Sequence, residues 1–272
     1  MSELEGKVTF IGGGAMGEAI IGSLLGKGLL KPAQICVSEP VPARREQLHS
    51  TFGVTTETDN AHAVDDASIV VLAVKPQVLE AVLTDLKSNL PPSALVLSIM
   101  AGVKIGTLRD GLGHEKIVRS MPNTPAQVGR GMTVWTDTPA VSDTDRAFAQ
   151  TILEAMGEAI YAADEHYLDM ATGLSGSGPG FVYLLLEALI DAGVHIGFSR
   201  EQAQQMVLQT VAGSVELMRE GGLHPADLRN RVTSPAGTTA AGTLVLERAG
   251  VRAALIEAVD AAYRRSRELG GG

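Results

Sequence analysis

The residues best placed to do chemistry in this chain are small ones. Gly12-Gly13-Gly14-Ala15-Met16-Gly17 closes a short apolar run over 8–11 and opens a stretch over 18–30 with helical spacing, so the glycines sit at a strand-to-helix turn. In that context a Gly-x-Gly-x-x-Gly turn binds the pyrophosphate of a dinucleotide. The first glycine permits the tight turn, the second removes a side chain where the phosphates approach, and the third lets the helix pack on the strand. The helix N-terminus adds unpaired N–H groups and the positive end of its dipole. An ordinary glycine-rich turn is the alternative, and the position between strand and helix argues against it.

Two later stretches have compositions that core packing alone does not explain. Thr172-Gly173-Leu174-Ser175-Gly176-Ser177-Gly178-Pro179-Gly180 carries four glycines, each costing about 1 kcal/mol against alanine inside a helix. Something approaches the backbone there, either a neighbouring helix or the nicotinamide end of a cofactor. Ser234-Pro235-Ala236-Gly237-Thr238-Thr239 reads as a helix start, with Ser234 at the N-cap and Pro235 at the first helical position. The small Ala236 and Gly237 leave the first N–H groups accessible and two hydroxyls follow, which suits a small carboxylate.

Elements that position these residues follow from hydrophobic patterning. A strand over 34–38 ends at Ser38-Glu39-Pro40. An acid at that place accepts hydrogen bonds from the adenosine ribose, so Glu39 leans towards NADH, against Arg44 and Arg45 nearby, which can reach a 2′-phosphate. Continuous apolar runs over 69–74 and 94–99 are the mark of strands buried on both faces. Their ends, Ala73, Val74, Lys75 and Pro76, then Ile99, Met100 and Ala101, should face the dinucleotide at the carboxyl edge of a parallel sheet. Lys75 reads equally well as an ordinary exposed lysine. A strand over 117–120 leads into the rigid Met121-Pro122-Asn123-Thr124-Pro125 loop, and further strands are expected over 131–136 and 158–161, with a helix over 142–156 between them.

Beyond Ala162 only helices are expected, over 165–173, 179–196, 199–219, 236–248 and 251–269. The fold class is therefore an α/β N-terminal Rossmann-type dinucleotide-binding domain over 1–162, followed by an all-α dimerisation and substrate domain over 163–272. The helix after Pro179 is apolar on nearly every side and must be buried all round. So small a domain cannot bury it alone, which calls for a second subunit.

Composition narrows the partners. With 31 acidic and 22 basic residues the net charge is −9, which repels nucleic acid and anionic membranes. The lone Cys36 excludes an internal disulfide and fits a reducing, cytoplasmic setting, and the six histidines show no metal-ligand spacing. The start of the chain leaves no room for a signal peptide ahead of the first strand. The most apolar segment, over 181–196, is interrupted by Glu187 and Asp191 and falls short of a membrane span.

Taken together, the Gly12 to Gly17 turn, Val74-Lys75-Pro76, Met121-Pro122-Asn123-Thr124-Pro125, Leu174-Ser175-Gly176-Ser177-Gly178-Pro179 and Val232-Thr233-Ser234-Pro235-Ala236-Gly237-Thr238-Thr239 resemble pyrroline-5-carboxylate reductases in order and spacing across almost the whole chain. The last two motifs are far more specific than a glycine loop. The resemblance implies reduction of 1-pyrroline-5-carboxylate to L-proline by NADPH or NADH, and a helical domain that interlocks with a partner, often in a ring of dimers. It also implies that Gly12, Gly13, Gly14, Ala15, Met16, Gly17, Ser38, Asn60, Ala73, Val74, Lys75, Pro76, Ile99, Met100 and Ala101 contact the cofactor. Ser234, Gly237 and Thr238 would hold the substrate carboxylate, Thr239 would lie near the ring nitrogen, and Glu165 at the edge of the site. Two departures stand out: Ala236 replaces the first glycine of the family's usual pair, and Glu39 stands where many members welcome a 2′-phosphate.

An imine substrate also fits the residues themselves. Dehydrogenases of hydroxy acids need a positioned His or Lys to move the alcohol proton, and those sharing this plan carry a lysine four residues after the glycine cluster. Here that position is Val182. An iminium already carries its proton, so orientation by a hydroxyl such as that of Thr239 suffices. The alternatives are a hydroxyacid or phosphogluconate-type dehydrogenase, which lacks that lysine here, and a non-catalytic dinucleotide sensor, which needs no carboxylate-shaped helix start.

Overall fold

In the computed structural model, which describes residues 6–271, the chain packs as two units. One comprises the residues up to Ser177 together with those from Ala261 on; the other is Gly178–Asp260.

Eight strands form one sheet in the first unit: β1 (Lys7–Ile11), β2 (Ile35–Ser38), β3 (Thr55–Glu57), β4 (Ala67–Leu72), β5 (Leu95–Ser98), β6 (Ile117–Met121), β7 (Gly131–Asp137) and β8 (Gly157–Tyr161). Their spatial order is β3-β2-β1-β4-β5-β6-β7-β8. All neighbours are parallel except β6 and β7. Alternation explains the unbroken apolar runs: Val8, Phe10, Ile69, Val71, Leu95 and Leu97 pack in one core, while Ile11, Val70, Leu72 and Val96 pack in another on the opposite face. Helices α1 (Ala15–Gly26), α2 (Pro42–Phe52), α3 (Asn60–Ala63), α4 (Leu79–Leu86), α5 (Ile105–Leu112) and α6 (Asp143–Ala155) connect the strands. In register, Ile11 pairs with Ser38 and with Leu72, and Leu72 pairs with Ser98, so the carboxyl ends of four strands stand level. Chain order reverses between β1 and β4, and ligands of open α/β sheets bind at that reversal.

β3 was not expected, because Thr55-Thr56-Glu57 has no apolar signature; it is an edge strand paired only with β2. After α7 (His166–Ala171) the backbone runs through a π-helical turn at Thr172–Gly176 and continues as α8 (Gly178–His195). The stretch His166–His195, helical but for the bend at Ser177, is long and apolar enough by length and composition alone to cross a membrane. This stretch is longer than the 181–196 segment weighed from the sequence, because it takes in α7 and the π-helical turn.

α9 (Arg200–Gly221), α10 (Pro225–Arg231), α11 (Thr238–Arg248) and the first part of α12 (Val251–Leu269) complete the second unit. α10 was not expected; it is a short polar helix whose N-cap is His224, Nδ1 accepting from the Ala226 N–H. Among the described residues of this unit only Ala203 is buried, whereas Leu184, Leu217, Val245 and Ile256 are more than 60% exposed. An apolar surface of this extent marks an association face.

Candidate active site

The glycine turn is shaped by three hydrogen-bonded anchors. Gly12 donates its N–H to the Ser38 carbonyl (2.8 Å), Ala73 donates to the Ile11 carbonyl (2.9 Å), and Ile99 donates to that of Leu72 (3.2 Å). Gly12 has φ +98°, and a Cβ there would lie 2.9 Å from the Ala73 carbonyl oxygen, so no other residue fits. At Gly14, the N-cap of α1, a Cβ would meet nothing within 4 Å, and no side chain caps the helix. Open space in front of unpaired N–H groups is what a pyrophosphate requires, so the residues present fit the dinucleotide.

Around the turn lie the other expected cofactor residues. Ser38 Oγ donates to Asn60 Oδ1 (2.7 Å), and Asn60 Nδ2 donates to Asp85 Oδ2 (2.9 Å), which fixes how the amide of Asn60 is turned. Ala73 to Pro76 leave the end of β4, with Lys75 exposed as the N-cap of a 3₁₀ turn; Ile99 to Ala101 leave the end of β5. The structure thus brings the cofactor set to one edge of one sheet. Glu39 behaves differently from a free ribose acceptor: it is only 9% exposed, and its Oε2 and Oε1 accept from the Gly13 and Val41 N–H groups, both at 3.0 Å. A cavity of about 540 Å³ also runs along α1 beside Phe52 and Val128, but it shares only Ala15 with the cofactor set.

Two residues not singled out from the sequence turn out to organise the neighbouring backbone. Arg119, 2% exposed on β6, donates from Nη1 to Glu165 Oε1 (2.7 Å) and stands 3.9 Å from Asp169. Glu165 Oε1 also accepts from the Ile105 N–H (2.7 Å), and Asp169 Oδ1 accepts from Ser266 Oγ on α12 (2.9 Å). These groups, with Lys104, His166 and Arg267, line a cavity of about 300 Å³. A charged side chain inside the apolar run over 117–120 was the available signal. Asn123 is the second: Oδ1 accepts from the Met132 N–H (2.9 Å), and Nδ2 donates to the Ser175 carbonyl (3.0 Å) inside the π-helical turn. Such turns recur at functional sites.

In the second unit the expected helix start is displaced. Ser234 is not the N-cap; the chain makes a turn closed by the Gly237 N–H on the Ser234 carbonyl (3.0 Å), and Gly237 caps α11. Proline at 235 suited either arrangement. No side chain caps this helix either, so the first N–H groups of α11, at Thr238 and Thr239, lack an internal acceptor. A Cβ at Gly237 would collide with Ser234 Oγ. Ala236 has φ +58°, the left-handed conformation that glycine adopts freely and alanine does not. Ser234, Gly237, Thr238 and Thr239 are thus gathered at one helix terminus, whereas Glu165 belongs to the first unit.

Two family profiles match: residues 165–269 fit pyrroline-5-carboxylate reductase dimerisation, and residues 7–102 fit NADP oxidoreductase, coenzyme F420-dependent. Pyrroline-5-carboxylate reductase of Synechocystis sp. is 47% identical over 96% of this chain and 97% of its own. The chain belongs to the pyrroline-5-carboxylate reductase family. The reductase of Coxiella burnetii superposes with a TM-score of 0.90 at 36% identity, over 97% of this chain and 98% of that one. The Plasmodium falciparum reductase, solved with NADP bound, gives 0.90 at 33%, over 99% and 100%. The family's dimerisation region takes in the exposed apolar helices of the second unit, which supports homo-oligomerisation.

Proposed function

We infer that this chain reduces 1-pyrroline-5-carboxylate to L-proline with a hydride from NADPH or NADH, the last step of proline biosynthesis. It is an oxidoreductase acting on a carbon–nitrogen double bond. The observation that carries the reading is the pair of uncapped helix termini, α1 behind the open Gly14 and α11 behind Gly237, one suited to a pyrophosphate and the other to a small carboxylate.

When bound, the reduced nicotinamide supplies the hydride. Gly12 to Gly17, Ser38, Asn60, Ala73 to Pro76 and Ile99 to Ala101 hold the dinucleotide, and Lys75 reaches it as an exposed cation at the strand end. Ser234, Gly237 and Thr238 hold the substrate carboxylate through the Ser234 hydroxyl and the α11 N–H groups. Thr239 orients the ring nitrogen by a hydrogen bond from its hydroxyl, and Glu165, in the first unit, is a substrate residue by the family resemblance. Functionally the chain divides at 162, ahead of α7, into a dinucleotide-binding domain and a helical dimerisation and substrate domain. The dimers assemble further into a ring and work in the cytoplasm, without nucleic-acid or membrane partners.

Oxidation of NADH and of NADPH by the purified protein, each with 1-pyrroline-5-carboxylate and with a 2-keto acid, tests the reading. Imine-dependent oxidation is expected; silence with the imine while either cofactor still binds refutes the catalytic assignment. For Thr239, full turnover by Thr239→Val would remove it from the mechanism.

A further inference from the structure

Gly13 is held through both of the peptides that flank it. Its N–H donates to Glu39 Oε2 (3.0 Å), and its carbonyl accepts from Arg44 Nε (2.6 Å). Each partner is itself tied down. Glu39 Oε1 accepts from the Val41 N–H (3.0 Å), and Arg44 Nη2 donates to Glu18 Oε2 (2.6 Å) in the first turn of α1. Arg44 Nη1 also donates to Gln47 Oε1 (2.9 Å). A Cβ at Gly13 would lie 2.5 Å from Leu48 and 3.4 Å from Glu39 Oε2, so the turn is pressed against the very groups that bond it.

We propose that Glu39 and Arg44 are positioning residues that clamp the two successive peptides flanking Gly13 and preform the phosphate-binding turn, and that Glu39 does not choose between NADH and NADPH. The Glu39 bond fixes the Gly12–Gly13 peptide, and the Arg44 bond to the Gly13 carbonyl fixes the plane of the Gly13–Gly14 peptide, which carries the Gly14 N–H. With that plane set, the following N–H groups at Gly14 and the start of α1 are left facing open space, ready for an anion before any arrives. The carboxylate at this position is turned inward, with each of its oxygens already accepting from a backbone N–H of the turn. The proposal rests on this turn being the dinucleotide site.

The test uses the intact oligomer of wild type, Glu39→Gln and Arg44→Met. NADH and NADPH Kd values are taken from titrations of nicotinamide fluorescence, and amide hydrogen exchange over 8–18 is followed in the cofactor-free protein. Glutamine keeps one acceptor and turns an N–H₂ on the other donor, so Glu39→Gln should weaken both cofactors by about tenfold, leaving their ratio within threefold. Arg44→Met should do likewise. Exchange at 8–18 should quicken in both variants while that of β4 and β5 stays as in wild type. A tenfold gain of NADPH over NADH in Glu39→Gln refutes the proposal, because it makes Glu39 the selector. A loss confined to NADPH in Arg44→Met refutes the clamp role of Arg44. Unchanged exchange and unchanged Kd values refute the clamp outright. Wild type that binds neither cofactor refutes the dinucleotide reading itself and the proposal with it.

Discussion

Gly237→Ala isolates the carboxylate site from the rest of the fold. The backbone at this position, φ −78° and ψ 170°, is allowed for any residue, so alanine brings no strain of its own. Its Cβ, however, collides with Ser234 Oγ and comes within 3.1 Å of the Ser234 carbonyl oxygen. The hydroxyl must rotate away, and the substrate carboxylate loses that donor. A hydrogen bond to a charged group contributes about 1.5–3 kcal/mol, which lowers kcat/KM for the imine by about 10- to 150-fold. The loss should fall on the imine, with the KM for the dinucleotide unchanged. Because the alanine acts through Ser234, Ser234→Ala should cost a similar factor, and the double variant little more than either single one. Steady-state kinetics of the three variants against both substrates decide the matter. If the two losses multiply in the double variant, Gly237 does not act by placing the Ser234 hydroxyl, and the geometry assigned to this turn is wrong.

Ala236→Gly should stabilise the protein or leave it neutral. The left-handed conformation costs alanine about 1–2 kcal/mol, and the added freedom of glycine in the unfolded chain returns about 0.4–1 kcal/mol. A melting midpoint raised by up to about 4 °C is expected, and a fall of several degrees would refute the strain. Arg119→Met strips the counter-charge from Glu165 and Asp169; since Glu165 is 30% exposed, we expect about 2–4 kcal/mol of destabilisation, less than for a sealed pair. Differential scanning fluorimetry should show a drop of about 6–12 °C, and adding Glu165→Gln should recover part of it. Burial, opposed by the charge of Lys7, raises the Cys36 thiol above its ordinary 9.0. Its contribution to stability is therefore complete below the unfolded value and is lost as pH rises through the folded one. Native protein should resist iodoacetamide at pH 8 and react fully once denatured; rapid native alkylation would contradict the burial.

Legibility followed the range of the forces involved. The central strands β1, β4 and β5 could be read because a strand buried on both faces is apolar at nearly every position, and the glycine turn because its spacing is set by local backbone sterics. β3 escaped because an edge strand that exposes Thr55 needs no such pattern. The N-cap of α11 was placed three residues early, at Ser234 instead of Gly237, since serine followed by proline opens a helix or a turn equally well. α8 was read as apolar all round, and in the single chain none of its residues is buried; patterning announces that a surface must be covered, not by what.

Chemistry divides along the same line. From residue types alone came a dinucleotide turn, a carboxylate-sized helix start and the absence of a proton-moving lysine at Val182, because each depends on neighbours a few residues away. Where Glu39 points, what Arg119 pairs with, and that Asn123 joins β7 to the π-helical turn depend on partners distant in the chain. Side-chain direction is settled by whichever buried donors remain unpaired once the sheet has formed. A carboxylate that looks from its sequence position like a cofactor ligand also accepts from two backbone N–H groups, and only packing reveals that second use.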